Sequence, residues 1–269
     1  MKIKETATII SQECLCEGVY SMWLATSIAK KAQAGQFVSV YSNSDARLLP
    51  RPISICEIAG AGDGADTKIP GRIRLVYRTV GEGTREFSRM SAGDKLEILG
   101  PNGNGFLPAL REEIRPGTKA LLIGGGIGIP PMVGLAAQLG CDVTIVAGYR
   151  TGKEMFLTEE LERYGKLYIS TDDGSAGTKG CVIDAIEEAG LNADVIFSCG
   201  PRPMLRGVKD FSLSRSIPSY VSMEERMACG VGACLGCVCS AEDVDDHSKV
   251  KNKRVCVDGP VFEVSEVVL

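Results

Sequence analysis

The chain has 269 residues, 44% of them apolar and 24% charged, and a formal net charge of −4. That length accommodates two modest domains and a small appendage. No basic stretch suits a phosphate backbone, so nucleic acid is not an expected partner, and no run of about eighteen apolar residues is present to span a membrane.

The first hundred or so residues read as β-structure. Short alternating runs occur at Thr6–Ile10, Val19–Ala25, Gln36–Tyr41, Ser54–Ile58, Ile73–Thr79 and Lys95–Leu99. Turn residues at Ala34-Gly35, Ala59–Gly64 and Ala92-Gly93-Asp94 punctuate them. Short strands without long helices between them predict a small antiparallel barrel. A brief helix is expected at Thr84–Met90.

From Gly117 the pattern changes. The apolar run Lys119–Ile123 leads into Gly124-Gly125-Gly126-Ile127-Gly128, then Ile129-Pro130-Pro131 and a helical stretch, Met132–Leu139. Strand Asp142–Ala147, helix Glu159–Tyr164, strand Leu167–Thr171, helix Val182–Ala189 and strand Asp194–Cys199 follow. This alternation predicts a doubly wound parallel α/β sheet. From about Ser219 the chain carries a group of cysteines and closing strands and reads as a small module. The expected organisation is multidomain: a β-barrel over residues 1–112, an α/β domain over 113–216 and a C-terminal module over 217–269.

In that module Cys229, Cys234 and Cys237 stand at C-x4-C-x2-C, with Cys256 further on. This is the plant-type spacing for a [2Fe–2S] cluster. Gly230, Gly232, Ala233 and Gly236 let the backbone wrap closely, so that its amides can aim at the sulfurs. A structural zinc site usually shows paired C-x2-C knuckles, and here only Cys234 and Cys237 form one. Disulfides are disfavoured by the odd total of eleven cysteines. The opening Met1-Lys2-Ile3-Lys4-Glu5 shows no apolar signal segment, so a cytoplasmic chain is expected. A cluster moves one electron at a time, which points to electron transfer.

Other segments carry candidate chemistry as well. The Gly124–Gly128 turn joins a buried strand to a helix, where amides and the helix dipole favour a pyrophosphate. Pro130 and Pro131 suit the first turn of that helix. The turn departs from G-x-G-x-x-G, because Ile129 follows three residues after Gly126, and a tight connection alone is the plainer reading. In the barrel, the Arg51 guanidinium can neutralise a phosphate and the Ser54 hydroxyl can bond a flavin ring atom. A solvated arginine beside a strand start is the alternative. Tyr77-Arg78 and Gly81-Glu82-Gly83-Thr84 form a second set of candidate phosphate contacts. Cys199-Gly200-Pro201 lies at the carboxyl end of a strand, where open sheets bind ligands, or is a buried thiol before a turn.

Taken in order, the R-P-I-S element, the G-E-G-T loop, the G-G-G-I-G-x-x-P turn and the C-G-P strand end resemble the ferredoxin–NADP reductase superfamily over residues 1 to about 215. With C-G-V-G-A-C-L-G-C after M-E-E-R-M, the whole chain resembles one branch, the iron–sulfur electron-transfer subunits of type B, NAD-dependent dihydroorotate dehydrogenase. The resemblance implies that Arg51, Pro52, Ile53 and Ser54 hold FAD, with Val76, Tyr77, Arg78, Gly83 and Thr84 completing its site. Ile53 stands where many members have an aromatic residue. It also implies Cys229, Cys234, Cys237 and Cys256 as cluster ligands, with Cys239 competing for the last place. The stretch Ala241–Arg254 is expected to be a solvated loop with His247 on its surface.

NADP-using relatives place a Ser-Arg pair after the strand where this chain has Thr171-Asp172. A carboxylate there repels a 2′-phosphate and accepts from a ribose hydroxyl, so NAD(H) is expected; Arg150 argues the other way. The implied route runs from NADH, with Gly125, Gly126, Gly128, Asp172 and Gly200 around it and Cys199 beside the nicotinamide, to FAD and then to the cluster. The implied partner is an FMN-containing dihydroorotate dehydrogenase catalytic subunit of pyrimidine biosynthesis, in a heterotetramer of two of each. Other readings are an NAD(P)H-linked subunit serving ferredoxin, polysulfide or a hydrogenase, a stand-alone diaphorase or oxygenase reductase, and a non-enzymatic zinc-binding nucleotide sensor.

Overall fold

The computed structural model describes residues 2–44, 46–60, 71–244 and 249–269. Strands β1 (Ile3–Cys16), β2 (Val19–Ala25), β3 (Phe37–Val40), β4 (Arg51–Ala59), β5 (Arg72–Arg78) and β6 (Lys95–Asn102) close into a barrel in the order β1-β2-β5-β4-β3-β6. All neighbours are antiparallel. Alternation sends Ile9, Met22, Leu24, Ile55, Leu75 and Ile98 into one apolar interior. β1 is longer than its apolar run because its first part pairs with β6 and its later part with β2, with bulges at Ile9/Ser11 and Cys14/Cys16. The turn expected at Ala59–Gly64 lies outside the described residues beyond Gly60.

Helix α1 (Glu82–Phe87) starts two residues ahead of the expected Thr84. The Thr84 hydroxyl accepts from the Val80 and Gly81 amides at 3.0 and 3.3 Å, which fastens the loop to the helix start. Helix α2 (Leu107–Glu113), with proline in its first turn, then leads out of the barrel.

The second half alternates as expected. β7 (Lys119–Gly125), α3 (Ile129–Ala136), β8 (Asp142–Tyr149), α4 (Thr158–Glu162), β9 (Lys166–Thr171), β10 (Thr178–Lys179), α5 (Val182–Glu188) and β11 (Val195–Cys199) follow in turn. Successive side chains of β7 serve opposite faces. Ala120 and Leu122 pack with α3, whereas Leu121 and Ile123 pack with α5 and the next helix. That helix, α6 (Arg202–Ser214), has no counterpart in the sequence reading, although it buries Leu205, Val208 and Phe211 at helical spacing.

The sheet continues past residue 216, where the α/β domain was expected to end. β12 (Ser219–Ser222) pairs parallel with β11, from Ile196↔Ser219 to Cys199↔Ser222. Between its two visits to the sheet the chain forms a small hairpin of β13 (Val238–Ser240) and β14 (Asn252–Arg254). It returns as β15 (Val261–Glu263), antiparallel to β12, giving the sheet order β10-β9-β8-β7-β11-β12-β15. The stretch expected as a loop therefore ends in β14, and His247 lies outside the described residues. Among the described residues no helix is long and apolar enough to cross a membrane.

Barrel and sheet meet along α3 and β4. A Cβ on Gly134 of α3 would overlap the backbone carbonyl of Cys56 in β4, so only glycine permits the approach. Cys56, Val76 and Phe106 share one apolar cluster with Ile129, Met132 and Val133. Beside it Arg74 is 6% exposed. It donates to Ser21 at 2.9 Å and pairs with Glu57 at 2.7 Å and with Glu160 of α4 at 3.3 Å. Burial disfavours the guanidinium charge, and these carboxylates outweigh it.

Gly134→Val should force the two bodies apart and cost about 1–3 kcal/mol, the usual penalty of overpacking, read as a lower denaturation midpoint. Glu160→Gln leaves Glu57 on Arg74 and should cost no more than about 1 kcal/mol. A Gly134→Val chain of unchanged stability would show that the approach is not tight.

Candidate functional site

A cavity of about 510 Å³ opens at the carboxyl ends of β7, β8 and β9, beside the point where the chain reverses direction across the sheet to β11. This is where open α/β sheets take ligands. Gly125, Gly126 and Asp172, the residues expected around NADH, line it, and so does Arg78, which reaches across from the barrel. Gly126 has φ +52° and nothing within 4 Å of where a Cβ would stand, so its open side is available to a ligand. Gly125 and Gly128 are needed for packing instead. A Cβ on the first would strike Met204, and one on the second the Cys199 carbonyl. Gly128 and Cys199 do not line the cavity.

Cys199 is 1% exposed, and burial pushes its thiol well above the ordinary range. Gly200 opens instead on a second cavity of about 280 Å³, with Arg202, Met223 and Glu224. Sequence reasoning missed Ser170, in the wall of the larger cavity. It is 1% exposed, and its hydroxyl has no hydrogen-bond partner among the described residues. Its place at the carboxyl end of a parallel strand was the available signal.

On the barrel, the Arg51 guanidinium lies against Gly83, where a Cβ would overlap it. The structure thus brings the two expected phosphate-binding segments together. Arg51 is held by the Leu49 carbonyl. Thr84 is occupied with its own loop, accepting from two amides and donating to the Gly81 carbonyl at 3.1 Å. Pro52 is exposed and Ser54 half-buried, whereas Ile53 is 7% exposed and packs in the barrel interior. Val76 and Tyr77 are each 3% exposed. The Tyr77 hydroxyl donates to Gln12 at 2.9 Å, and its ring meets Phe87 edge-on. β5 can therefore offer a ligand its backbone at these positions. Arg78 pairs with Glu154 of the sheet domain at 3.3 Å, at the seam between the two bodies.

The cysteines gather in two pairs. Cys234 Sγ accepts from the Cys229 and Gly236 amides at 3.4 Å, and Cys229 Sγ accepts from the Val231 amide at 3.4 Å. Cys237 Sγ accepts from the Cys256 amide at 3.4 Å. Left-handed backbone at Gly230, Gly232 and Leu235 makes this wrapping possible. Burial opposes ionisation of Cys229, but the Val231, Cys234 and Ala233 amides and the Cys234 thiol outweigh it and pull Cys229 down to about 6. Cys256, buried and facing the Cys237 thiol, is pushed up to about 12. Cys239 turns elsewhere: its Sγ contacts the Lys253 carbonyl at 3.4 Å within the hairpin. Among the described residues no three His, Cys, Asp or Glu side chains converge as one metal ion would require. The four thiols instead stand in twos, Cys229 with Cys234 and Cys237 with Cys256, and would together supply the four cysteine ligands of a [2Fe–2S] cluster.

The loop is fixed to the barrel. A Cβ on Gly230 would stand 2.6 Å from the Ser39 hydroxyl, and Lys2 donates to the Gly230 carbonyl at 3.3 Å. Asn104, just past β6, donates across to residues 257–259: its backbone amide binds the Gly259 carbonyl at 2.6 Å and its side chain the Val257 carbonyl at 2.9 Å.

Comparison with known proteins agrees with this geometry. Residues 224–268 match the iron–sulfur cluster binding domain of dihydroorotate dehydrogenase B, and residues 122–210 match the oxidoreductase NAD-binding domain. The chain is 43% identical to the dihydroorotate dehydrogenase B (NAD(+)) electron transfer subunit of Bacillus caldolyticus, over 99% of both chains. It is 39% identical to that of Streptococcus mutans serotype c, over the whole of both. Among solved structures, an NADH-dependent reduced ferredoxin–NADP oxidoreductase studied for flavin-based electron bifurcation superposes with a TM-score of 0.80 at 28% identity, covering 97% of this chain and 89% of that one. A ferredoxin–NADP⁺ reductase from Neisseria gonorrhoeae, with FAD and NADP bound, shares the fold, with a TM-score of 0.62 at 17% identity over 78% of this chain and 91% of that one. With paired thiols, a cavity at the sheet's reversal point and full-length relatives in agreement, the chain belongs to the family of dihydroorotate dehydrogenase B (NAD(+)) electron transfer subunits.

Proposed function

We propose that this chain relays electrons between NAD(H), FAD and a [2Fe–2S] cluster, and through the cluster to or from an FMN-containing dihydroorotate dehydrogenase catalytic subunit. The observation that carries the reading is the gathering of Cys229 with Cys234 and of Cys237 with Cys256, fastened to a barrel that presents Arg51 against Gly83. Each pair would hold one iron, and the bound cluster would supply one-electron transfer. The amides of Val231 and Gly236 already aim at sulfur, which favours the thiolate form and offsets the charge of a bound cluster. Bound at Arg51, Ser54 and the Gly83 loop, FAD would exchange electrons in ones or twos.

NAD(H) is read into the larger cavity. The open side of Gly126 and the start of α3 receive its pyrophosphate. Asp172 accepts from a ribose hydroxyl and disfavours a 2′-phosphate. Arg78, on the barrel but in the cavity wall, brings the nucleotide side and the flavin side of the molecule together. No residue of this chain is assigned to dihydroorotate. Electron exit is assigned to the face that carries exposed Cys234, beside Leu235, 61% exposed, and Val231, 39% exposed. The assembly follows as a heterotetramer of two of each subunit. The location is read as cytoplasmic, a reducing setting that keeps the thiols of Cys229, Cys234, Cys237 and Cys256 available to a cluster.

A pull-down from native extract should retain an FMN protein that oxidises dihydroorotate, with the mass of two chains of each kind. The likeness to the ferredoxin–NADP oxidoreductase favours, second, a subunit serving ferredoxin, and recovery of that partner instead would overturn the first reading. Cys256→Ser should remove the cluster's visible absorption and leave the flavin spectrum, whereas Cys239→Ser should keep both; the reverse result transfers the ligand role to Cys239. Asp172→Arg should shift the NADPH-to-NADH ratio of kcat/KM upward by about tenfold or more, roughly 1.4 kcal/mol. An unchanged ratio removes Asp172 from nucleotide choice.

A further inference from the structure

Cys181 has no part in the relay, yet it stands in the wall of the larger cavity. Its thiol is one of three exposed ones, with Cys14 and Cys234. Cys234 belongs to the cluster loop, and Cys14, on β1, does not line the cavity. Cys181 is also fixed in place. Gly180, at φ +126°, turns the chain into α5, and Cys181 caps that helix. Its amide donates to the Asp184 carboxylate at 2.6 Å. The backbone that carries the thiol is therefore held at the start of α5 and not in a free loop.

A second feature shows that the same cavity is built to meet a ligand. Ser170, in the same wall, is buried, and its hydroxyl has no partner among the described residues; an unmade hydrogen bond at a buried hydroxyl is costly unless a bound group completes it. Any adduct on Cys181 would occupy space and polar surface that such a ligand needs.

We propose that Cys181 is a site of reversible modification by low-molecular-weight disulfides, and that the adduct closes the cavity to its nucleotide; this rests on reading the cavity as the NAD(H) site. In the step, the Cys181 thiol gives its proton to water and its sulfur attacks one sulfur of the disulfide. The Cys181–S bond to that half forms, the original S–S bond breaks, and the departing thiolate takes up a proton. Cys181 is oxidised, the released half is reduced, and exchange with a free thiol restores both. The consequence is a coupling between the thiol–disulfide balance around the protein and its access to NAD(H).

Oxidised glutathione, applied to the chain loaded with flavin and cluster, is the probe. Peptide mass mapping should place an adduct on Cys181, formed more slowly when NAD⁺ is saturating. The modified chain should keep its flavin and cluster absorption, bind NADH at least about tenfold more weakly by equilibrium dialysis, and recover with dithiothreitol. Treated Cys181→Ser should retain its own untreated affinity, while treated Cys14→Ser should lose affinity as the unsubstituted chain does. No adduct at Cys181, an adduct with unchanged NADH affinity, or equal loss in Cys181→Ser would each overturn the proposal. If the untreated chain fails to bind NADH at all, the nucleotide reading of the cavity falls, and this proposal falls with it.

Discussion

The approach of α3 to β4, where Gly134 meets the Cys56 carbonyl, is the constraint on which the arrangement of sites depends. The glycine-rich turn opens α3, and Arg51-Pro52-Ile53-Ser54 opens β4. Backbone held against backbone at that contact fixes the distance between the two ligand-binding ends. A side chain there would act as a spacer and separate them. The apolar cluster around Cys56, Val76, Ile129 and Met132 makes the contact permanent, because it is one core that spans both bodies. Arg74 adds specificity more than strength: one buried guanidinium takes a carboxylate from each side, Glu57 of the barrel and Glu160 of α4.

The third part of the molecule depends on the same frame. β12 and β15 extend the sheet, so the cluster loop between them is anchored at both ends. Asn104 and Ser39 then hold it to the barrel. The cysteine loop is thus tied to the nucleotide-binding sheet by strand pairing and to the barrel by hydrogen bonds and close packing. For a relay that passes charge between three bound groups, such a rigid seat matters, because separation and orientation are set before any electron moves.

Much of this was legible in the chain. Period-two alternation revealed the barrel, since closed strands with one face inward repeat every second residue. The apolar run before Gly124 and the following helical patterns revealed the parallel sheet. The C-x4-C-x2-C spacing was readable because three thiols within nine residues form their loop from local backbone turns at Gly230 and Gly232. α6 was not, although Leu205, Val208 and Phe211 repeat at helical spacing, because Gly207 and interleaved charges dilute the pattern over thirteen residues. β12 and β15 escaped because strands of four and three residues carry almost no periodicity, and their pairing joins segments some forty residues apart.

By itself the sequence determined the class of chemistry, because cysteine spacing and glycine placement are local properties that dictate which groups a backbone can wrap. Only the tertiary structure decided how Cys256 comes to face Cys237: the β13–β14 hairpin closes and the Val255 amide bonds the Cys237 carbonyl at 3.0 Å. It also decided that Arg78 belongs to the cavity as well as to the barrel, that Cys199 is enclosed, and that Ser170 and Cys181 share the larger cavity's wall. These are outcomes of long-range pairing and packing, in which residues far apart in the chain become neighbours only once the sheet, barrel and hairpin have formed around one another.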